Sequence, residues 1–227
     1  MRLVKKPGTK PLLIVFEGID GSGKTTQANM LAKRMQADGI PYVVTAEPSD
    51  GPFGQMIRSL GSRPEPEEEQ RLFTEDRRDH VQRVILPALK RGRTVICDRY
   101  VHSSVAYQGA RDMDPQKILA ENLRFAPAPD IIFLLEISVE LALSRIGAAR
   151  SGVFSAFEGR TSLEAVLTIY QRMRNRLIHR LDGSLSPEDL HHKVVGIIRS
   201  VIEDLEDAGT EAAEKKSSLT TWPCDQL

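Results

Sequence analysis

An apolar run leads directly into a glycine-rich turn in the stretch Leu12-Leu-Ile-Val-Phe-Glu-Gly-Ile-Asp-Gly-Ser-Gly-Lys-Thr25. The apolar residues Leu12–Phe16 predict a buried strand. After the turn, apolar residues recur with the i, i+3, i+4, i+7 spacing of one helix face, at Ala28, Leu31, Ala32 and Met35. A strand, a glycine-rich turn and a helix in this order can hold a phosphate group at the helix N-terminus.

The turn itself, Gly18-Ile-Asp-Gly-Ser-Gly-Lys-Thr25, matches the pattern G-x-x-x-x-G-K-[ST]. Glycines let successive backbone N–H groups point toward phosphate oxygens, while Lys24 supplies a charge for the β- and γ-phosphates and the Thr25 hydroxyl is a ligand for Mg²⁺. An ordinary glycine-rich turn is the alternative, but the flanking strand and helix favour nucleotide binding. We therefore predict that a nucleoside triphosphate is bound by Gly18, Asp20, Gly21, Ser22, Gly23, Lys24, Thr25 and Thr26.

Length and composition limit the class of protein. The chain has 227 residues, 41% of them hydrophobic, which indicates one globular domain or one domain with a tail. Lys and Arg (31) balance Asp and Glu (31), so no overall basic charge indicates a nucleic-acid partner. Two cysteines, Cys97 and Cys224, exclude a disulfide scaffold. The apolar runs are too short to cross a bilayer, and we expect a cytoplasmic protein without a membrane partner.

Three further apolar runs resemble the first, at Tyr42–Thr45, Thr94–Cys97 and Ile131–Leu135. Helical patterns separate them, one of which we expect to be broken or kinked at Pro87. Strands that are apolar on both faces and alternate with helices predict a parallel sheet covered on both sides, with ligands bound beyond the carboxyl ends of the strands. The last apolar periodicity ends near Leu205, so we predict one domain over residues 1–206 and a flexible tail over residues 207–227.

Several segments resemble those of a known family. Thymidylate kinases have a signature segment that is similar to Ile96-Cys-Asp-Arg-Tyr-Val-His-Ser-Ser-Val-Ala-Tyr-Gln-Gly109. Three other family segments follow the expected order, namely Thr45-Ala-Glu-Pro48, Leu72-Phe-Thr-Glu-Asp-Arg-Arg-Asp-His80 and Pro129-Asp130. This resemblance extends from about Leu12 to Leu205. It implies the P-loop kinase fold of the α/β class, with a five-stranded parallel sheet, helices on both faces and a short arginine-bearing lid.

The resemblance also implies an enzyme. Members of this family transfer the γ-phosphoryl group of ATP to thymidine monophosphate (dTMP), with Mg²⁺ as cofactor, and typically form homodimers. Family members use the residue corresponding to Arg99 to grip the acceptor phosphate and the residue corresponding to Asp98 to organise Mg²⁺ or its water shell. Together with Lys24, these two residues form the expected catalytic set, and Thr25 and Asp98 form the expected metal site. A purely structural salt bridge is the alternative for Asp98 and Arg99.

The acceptor pocket is assigned in the same way. Phe73 and Arg77 are four residues apart and are therefore neighbours on one helix face, which by itself suits a core position as well as a binding role. Family members stack the aromatic ring on thymine and use the arginine to bind its carbonyl group. Asp20 is expected to face the sugar 3′-hydroxyl or the acceptor phosphate. The full expected dTMP set is Asp20, Glu47, Arg58, Phe73, Arg77, Arg99, Ser104, Tyr107 and Gln108.

Arginines and glycines at about residues 145–160 resemble the lid of these kinases, a flap that closes over the phosphates and excludes water. The catalytic arginine of the family comes either from the P-loop or from the lid. Gly21 stands at the P-loop position, so the lid must supply this arginine, and Arg150 is favoured over Arg145. A solvated, charged helix end is the alternative.

Two departures from the family pattern leave other functions open. Ala46 stands where the family usually has an arginine that contacts the acceptor phosphate; Arg58 compensates, or the monophosphate is held less tightly. In the lid segment, Ser155-Ala-Phe-Glu158 lacks the pair of one acidic and one basic residue that usually precedes Phe-Glu in the family. One alternative is a related nucleoside or nucleoside monophosphate kinase with altered acceptor specificity. The other is a weakly active nucleotide-binding protein of the same fold.

Overall fold

A parallel sheet of five strands lies at the centre of the part of the chain that the structure, a computed structural model, describes: Leu3 and residues 9–149 and 159–212. The strands are Leu13–Glu17 (β1), Tyr42–Ala46 (β2), Thr94–Asp98 (β3), Ile131–Glu136 (β4) and Ile178–Asp182 (β5). Their spatial order is β2-β3-β1-β4-β5, and every neighbouring pair is parallel. The predicted α/β sheet is confirmed.

Helices connect the strands and cover both faces of the sheet. They are Lys24–Ala37 (α1), Pro52–Ser59 (α2), Pro66–His80 (α3), Leu86–Lys90 (α4), Val101–Gly109 (α5), Pro115–Leu123 (α6), Val139–Ala149 (α7), Arg160–Arg172 (α8) and Pro187–Ala212 (α9). A proline begins α2, α3, α6 and α9, a position where its missing N–H group costs no helix hydrogen bond. The Asp114 carboxylate caps α6, and the Ser186 hydroxyl caps α9.

Successive residues of β1 point to opposite sides of the sheet, and both sides are buried. Leu13 and Val15 belong to a core that includes residues of α5 and α8. Ile14 and Phe16 belong to a second core, with α1 and α9, where Phe16 stacks on Phe133 at a ring-centroid distance of 5.2 Å. Burial on both faces explains why the central strands are apolar along most of their length.

The fifth strand, β5, has no clear signal in the sequence. It lies at the edge of the sheet, pairs with β4 and contains three polar residues in Ile178-His-Arg-Leu-Asp182. Arg180 forms an ion pair with Glu136 at 2.5 Å and donates to the Met173 carbonyl oxygen at 2.7 Å. Its position at the edge exposes part of the strand to solvent, so a continuous apolar run is not required there.

Two helical regions differ in detail from the sequence pattern. The irregularity expected at Pro87 begins earlier, in the π-helical turn Val81–Ile85, where the Leu86 N–H donates to the Val81 carbonyl oxygen. Proline lacks an N–H group and its ring crowds the carbonyl four residues before it, so the preceding turn widens. Helix α9 continues to Ala212, inside the segment expected to be a tail.

Candidate active site

The P-loop, Gly18–Thr25, leaves the carboxyl end of β1 and enters α1. Three of its glycines have positive φ angles. A Cβ atom at Gly18 would lie 2.5 Å from the Leu135 carbonyl oxygen, and one at Gly21 would lie 2.7 Å from the Ala142 carbonyl oxygen. Only glycine suits both the backbone conformation and the space. The loop is therefore shaped to present backbone N–H groups to an anion at the start of α1.

Lys24, at the start of α1, is the cation of the loop. Its side chain is buried, and Nζ donates to the Ile19 carbonyl oxygen at 2.8 Å. Burial and the nearby charge of Arg99 lower the pKa of Lys24 to about 8, although Asp20 acts in the opposite direction. A bound phosphate would favour the charged form again.

Thr25 and Asp98 meet at the carboxyl ends of β1 and β3. Thr25 Oγ1 donates to Asp98 Oδ2 at 2.5 Å, whereas the buried Asp98 Oδ1 has no hydrogen-bond partner among the described residues. Mg²⁺ is usually bound by one or two protein oxygens, waters and substrate phosphates. The pair fits such an ion, and no group of three or more His, Cys, Asp or Glu residues that could hold a metal by itself occurs in the described ranges.

Arg99 follows β3 and crosses to the P-loop. Its Nη2 donates to Asp20 Oδ1 at 2.6 Å and to the Tyr107 hydroxyl at 3.2 Å, and Nη1 donates to Ser103 Oγ at 3.2 Å. Burial opposes ionisation of Asp20, but the charges of Arg99 and Lys24 outweigh it and lower the pKa of Asp20 to about 2. A cation and an ionised carboxylate therefore lie side by side at the phosphate-binding loop.

A cleft of about 670 Å³ opens beside the P-loop. Arg145 of α7 lines it and donates to the carbonyl oxygens of Gly183 at 2.9 Å and Gly21 at 3.3 Å. The other wall is formed by the turn after β5 and the start of α9, with Gly183, Leu185, Pro187 and Leu190. Sequence reasoning missed this wall because β5, which positions it, has no sequence signal.

Arg77 of α3 is 1% exposed and uses most of its guanidinium within the protein. Nε donates to Glu47 Oε2 at 2.8 Å and Nη1 to Asn122 Oδ1 at 2.7 Å. Nη2 donates to Ser104 Oγ at 2.9 Å and to the Tyr100 carbonyl oxygen at 3.0 Å. Since a guanidinium has five N–H groups, these four bonds leave one Nη1 hydrogen for a ligand.

Glu47 is the counter-charge of this second cation. Its other oxygen, Oε1, lies 3.0 Å from His80 Nδ1, and His80 Nε2 lies 2.6 Å from Thr45 Oγ1. Burial would raise the pKa of Glu47, but Arg77 and His80 together outweigh burial and lower it. Both carboxylate oxygens are thus occupied by protein partners, so Glu47 supports the pocket by fixing Arg77.

The Phe73 ring and the Gln108 side-chain oxygen are not fully engaged in contacts with the described part of the chain. Phe73 is half-buried and is a member of neither hydrophobic core of the described chain. Gln108 is 1% exposed, and its Oε1 has no hydrogen-bond partner in the protein. A partly exposed ring outside the core and a free amide acceptor are features of a ligand pocket.

Comparison with known proteins agrees with this geometry. A family model described as Thymidylate kinase matches residues 16–194. A thymidylate kinase of Desulfotalea psychrophila is 38% identical over 194 residues, 84% of this chain and 96% of that protein. One of Akkermansia muciniphila is 42% identical over 187 residues (82% and 90%), and a probable thymidylate kinase of Pyrococcus abyssi is 39% identical over 197 residues (82% and 95%). The chain belongs to the thymidylate kinase family.

Membership of the thymidylate kinase family confirms the resemblance that begins in the P-loop and continues through the segment at Ile96–Gly109. The matched region starts at Phe16 in β1 and ends at Val194 in α9, so it includes both clusters of polar residues described above. The structure divides the expected site residues between these clusters. Tyr107 lies with Asp20 and Arg99, whereas Ser104 lies with Arg77.

Ala46, where the sequence resemblance implies an arginine, is the last residue of β2, and a loop follows it. Arg58, expected to compensate, donates from Nη1 to the Pro48 carbonyl oxygen at 2.7 Å and from Nη2 to the Ser49 carbonyl oxygen at 2.6 Å. Asp76 accepts from Ser49 N at 2.7 Å and from Ser49 Oγ at 2.6 Å. Asp76 was not in the expected set, since nothing in the sequence shows that it is buried against this loop.

The lid of the thymidylate kinase family falls partly outside the described residues. Arg150, together with Ser155-Ala-Phe-Glu158, lies in this segment, over residues 150–158. Arg160 begins α8 and pairs with Glu140 at 2.5 Å, on the outside of the molecule. Arg145, the other expected lid arginine, lies at the P-loop, where its Nη1 donates to the Gly21 carbonyl oxygen at 3.3 Å.

No helix in the described ranges is both long enough and apolar enough to cross a membrane.

Proposed function

We propose that this chain transfers the γ-phosphoryl group of ATP to dTMP, with dTDP and ADP as products. One observation carries the proposal: the Arg99 guanidinium contacts Asp20 of the P-loop at 2.6 Å, so a phosphate-binding loop and a second phosphate-binding cation share one cleft. Transfer between two nucleotides requires this juxtaposition, because the donor and acceptor phosphates must be neutralised and aligned together. Membership of the thymidylate kinase family and the names of the relatives support dTMP as the acceptor.

On the donor side, the P-loop N–H groups and Lys24 bind the β- and γ-phosphates of ATP. Arg145 adds a second positive charge on the wall of the cleft. Thr25 Oγ1 and Asp98 Oδ1 are the atoms suited to hold Mg²⁺ or its water shell. An ion held there would supply positive charge that neutralises part of the phosphate charge.

On the acceptor side, Arg99 binds the phosphate of dTMP. Its side chain is 16% exposed, toward the cleft, and Asp20 remains ionised because its pKa is about 2. Asp20 therefore keeps the guanidinium oriented while the sugar 3′-hydroxyl or the acceptor phosphate binds beside it. Tyr107, which donates to Asp20 at 3.0 Å, fixes the carboxylate in turn.

The thymine base is bound by the second cluster. Phe73 supplies a ring for stacking, and the free Gln108 Oε1 accepts from the N3–H group of the base. The remaining Nη1 hydrogen of Arg77 reaches a base carbonyl, with Glu47 and Ser104 holding the guanidinium in place.

The lid over about residues 145–160 closes on both nucleotides and excludes water, which strengthens the electrostatic contacts and prevents hydrolysis of ATP. Arg150 is the proposed catalytic arginine from the sequence, and Arg145 contributes from its position at Gly21. Separate Arg150→Ala and Arg145→Ala variants decide between them. Loss of the catalytic arginine should lower kcat more than it raises the KM for dTMP.

A coupled assay of ADP release tests the function across dTMP, dUMP, UMP, dCMP and free thymidine. We expect dTMP to be the fastest acceptor. A faster reaction with another acceptor would instead support the kinase of altered specificity, for which Ala46 is the sequence argument. Calorimetric binding of ATP and dTMP without turnover would support the weakly active nucleotide-binding protein.

A homodimer stays a prediction from the family resemblance, and a cytoplasmic location stays a prediction from the short apolar runs of the sequence. Val44, Met56 and Leu60 are large apolar side chains exposed in the chain by itself, at 40%, 49% and 38%. Sedimentation velocity checks the dimer, since the monomer mass is 25.3 kDa.

A further inference from the structure

Glu17, the last residue of β1, is a fully buried carboxylate to which the proposed reaction assigns no role. Oε1 accepts from the Tyr100 N–H at 2.9 Å and the Ser103 N–H at 3.2 Å. Oε2 accepts from the Ser103 hydroxyl at 2.5 Å and the Tyr170 hydroxyl at 2.9 Å. Burial raises the pKa of Glu17, whereas these donors and the charge of Arg99 act in the opposite direction and favour the acceptor-only, ionised carboxylate.

The Oε1 contacts hold an unusual turn of the backbone. Arg99, immediately before Tyr100, has a φ angle of 71°, in the left-handed region that residues with side chains rarely adopt. Such a conformation persists only where the surroundings hold it. The backbone N–H groups of Tyr100 and Ser103 both donate to Glu17 Oε1, and these two hydrogen bonds fix the path of the chain from β3 into α5.

The Oε2 contacts reach the Arg99 side chain. Ser103 Oγ accepts from Arg99 Nη1 at 3.2 Å and donates to Glu17 Oε2, so the donors run in one direction from the cation to the buried carboxylate. Tyr170 contacts the same carboxylate oxygen, and its hydroxyl lies 3.1 Å from Ser103 Oγ, but no hydrogen bond joins it directly to the Arg99 guanidinium in the described structure. Ser103 is therefore the link between the two charges.

We propose that Glu17 is a positioning residue for Arg99: it fixes the left-handed turn at Arg99 and, through Ser103, orients the guanidinium toward the acceptor phosphate. This inference rests on the proposed role of Arg99 in the proposed function. Glu17 itself touches neither nucleotide, because it lies beneath the loop with no exposed surface.

A matched pair of variants, Ser103→Ala and Tyr170→Phe, separates positioning from general support of the core. Each removes one hydroxyl donor from Glu17 Oε2. Tyr170→Phe also removes a contact to Ser103 Oγ, but only Ser103→Ala removes the atom that accepts from Arg99. By calorimetry without ATP, we expect Ser103→Ala to weaken dTMP binding about fivefold and Tyr170→Phe to weaken it less than about twofold. ADP affinity, which reports the P-loop, stays unchanged in both. Equal losses of dTMP affinity in the two variants would overturn the proposal.

A double-mutant cycle tests Glu17 directly. Glu17→Gln keeps the size of the side chain but places an NH₂ donor or a weaker acceptor against two hydroxyl groups. We expect about a tenfold loss of dTMP affinity in the wild-type background and less than about a twofold loss in the Arg99→Ala background, where there is no guanidinium to position. Equal fold losses in both backgrounds contradict the proposal, as does an unchanged dTMP affinity of Arg99→Ala.

Two further measurements keep this test decisive. If Glu17→Gln does not fold, as shown by circular dichroism and loss of ADP binding, the comparison of Ser103→Ala with Tyr170→Phe decides. Turnover of dTMP by the wild-type enzyme tests the proposed function independently. If the wild-type enzyme turns over dTMP normally but Glu17→Gln causes equal losses of dTMP affinity in both backgrounds, only the positioning role of Glu17 is rejected, and the proposed function stands.

Discussion

Two clusters each contain a buried cation: the P-loop cluster has Lys24 beside Asp20 and Arg99, and the Arg77 cluster has Arg77 beside Glu47. They treat the charge of that cation in opposite ways. Lys24 donates to a carbonyl oxygen at 2.8 Å, and its pKa is lowered to about 8 by burial and by Arg99. Arg77 pairs with Glu47 at 2.7 Å, and although burial acts against its charge, Glu47 outweighs burial and raises the pKa. The first cluster leaves positive charge for a ligand, whereas the second uses its charge to shape the pocket.

This difference teaches how one small protein combines binding with stability. A buried cation without a carboxylate partner destabilises the folded chain until an anion binds, which favours tight binding of phosphate. A cation with four hydrogen bonds inside the protein gives a rigid wall, and its removal leaves a buried carboxylate without its partner. Variants of the two clusters should therefore affect different measurements.

The largest effect is expected on stability, for Arg77→Met. We predict a loss of about 3–5 kcal/mol in the free energy of unfolding, measured with urea, because Glu47 would remain buried without its main counter-charge. Arg78→Met is the matched control on the same helix; its guanidinium is exposed and lies 4.2 Å from the centroid of the Phe125 ring. This control should cost less than about 1 kcal/mol. Similar losses in both variants would show that the buried pair does not stabilise the cluster.

Lys24→Met should have the next largest effect, on activity rather than on stability. We expect kcat to fall by at least about 100-fold, since a preorganised charge at the transferring phosphate is lost. The free energy of unfolding should stay the same or rise, because a buried cation is removed. Lys33→Met, on the exposed face of the same helix, is the control and should keep normal turnover. Near-normal kcat in Lys24→Met would refute the assigned role.

Phe73→Ala sharpens the comparison within the acceptor pocket. We expect the KM for dTMP to rise about tenfold through loss of stacking on the base, with less than about 1 kcal/mol lost in stability. Phe133→Ala provides the contrast: this ring is fully buried in the core, and its removal should cost about 3–5 kcal/mol. A large loss of stability with an unchanged KM for dTMP in Phe73→Ala would show that Phe73 is a core residue rather than a base-stacking residue.

The smallest effect is a pH dependence of ADP binding. Lys24 has a pKa of about 8 in the free enzyme, so its charged fraction falls as the pH rises through that value, while a bound phosphate retains the proton. ADP affinity should decrease by up to about tenfold from about pH 7 to about pH 9. Lys24→Arg should remove this dependence, because arginine stays protonated throughout the range. The same slope in Lys24→Arg would assign the titration to another group.

Much of the fold and of the phosphate site could be predicted from local sequence. The P-loop pattern, the strand before it and the apolar face of α1 are each signalled within a few residues of one another. β5 could not be located, because three of its five residues are polar and it lacks the continuous apolar run that marks the central strands. The wall formed by Gly183 and Leu185, which depends on β5, was missed for the same reason.

Contacts between distant residues could not be predicted either. Glu17 precedes the P-loop directly, and its character as an acidic residue at the end of an apolar strand is visible in the sequence. Its four donors come from residues up to 153 positions away, so its role follows only once β1, β3, α5 and α8 are packed together. Asp76 is similar, since its burial depends on the loop at Ser49, 27 residues earlier in the chain.

The sequence alone determined the class of fold, the phosphate-binding loop and the set of residues available for chemistry, because these depend on short-range patterns of apolar residues, glycines and charges. Only the tertiary structure decided which of those charges are available to a ligand and which are neutralised inside the protein. Lys24 and Arg77 look alike as charges on a helix, and burial with or without a carboxylate partner separates them. That distinction depends on desolvation and on contacts between distant segments.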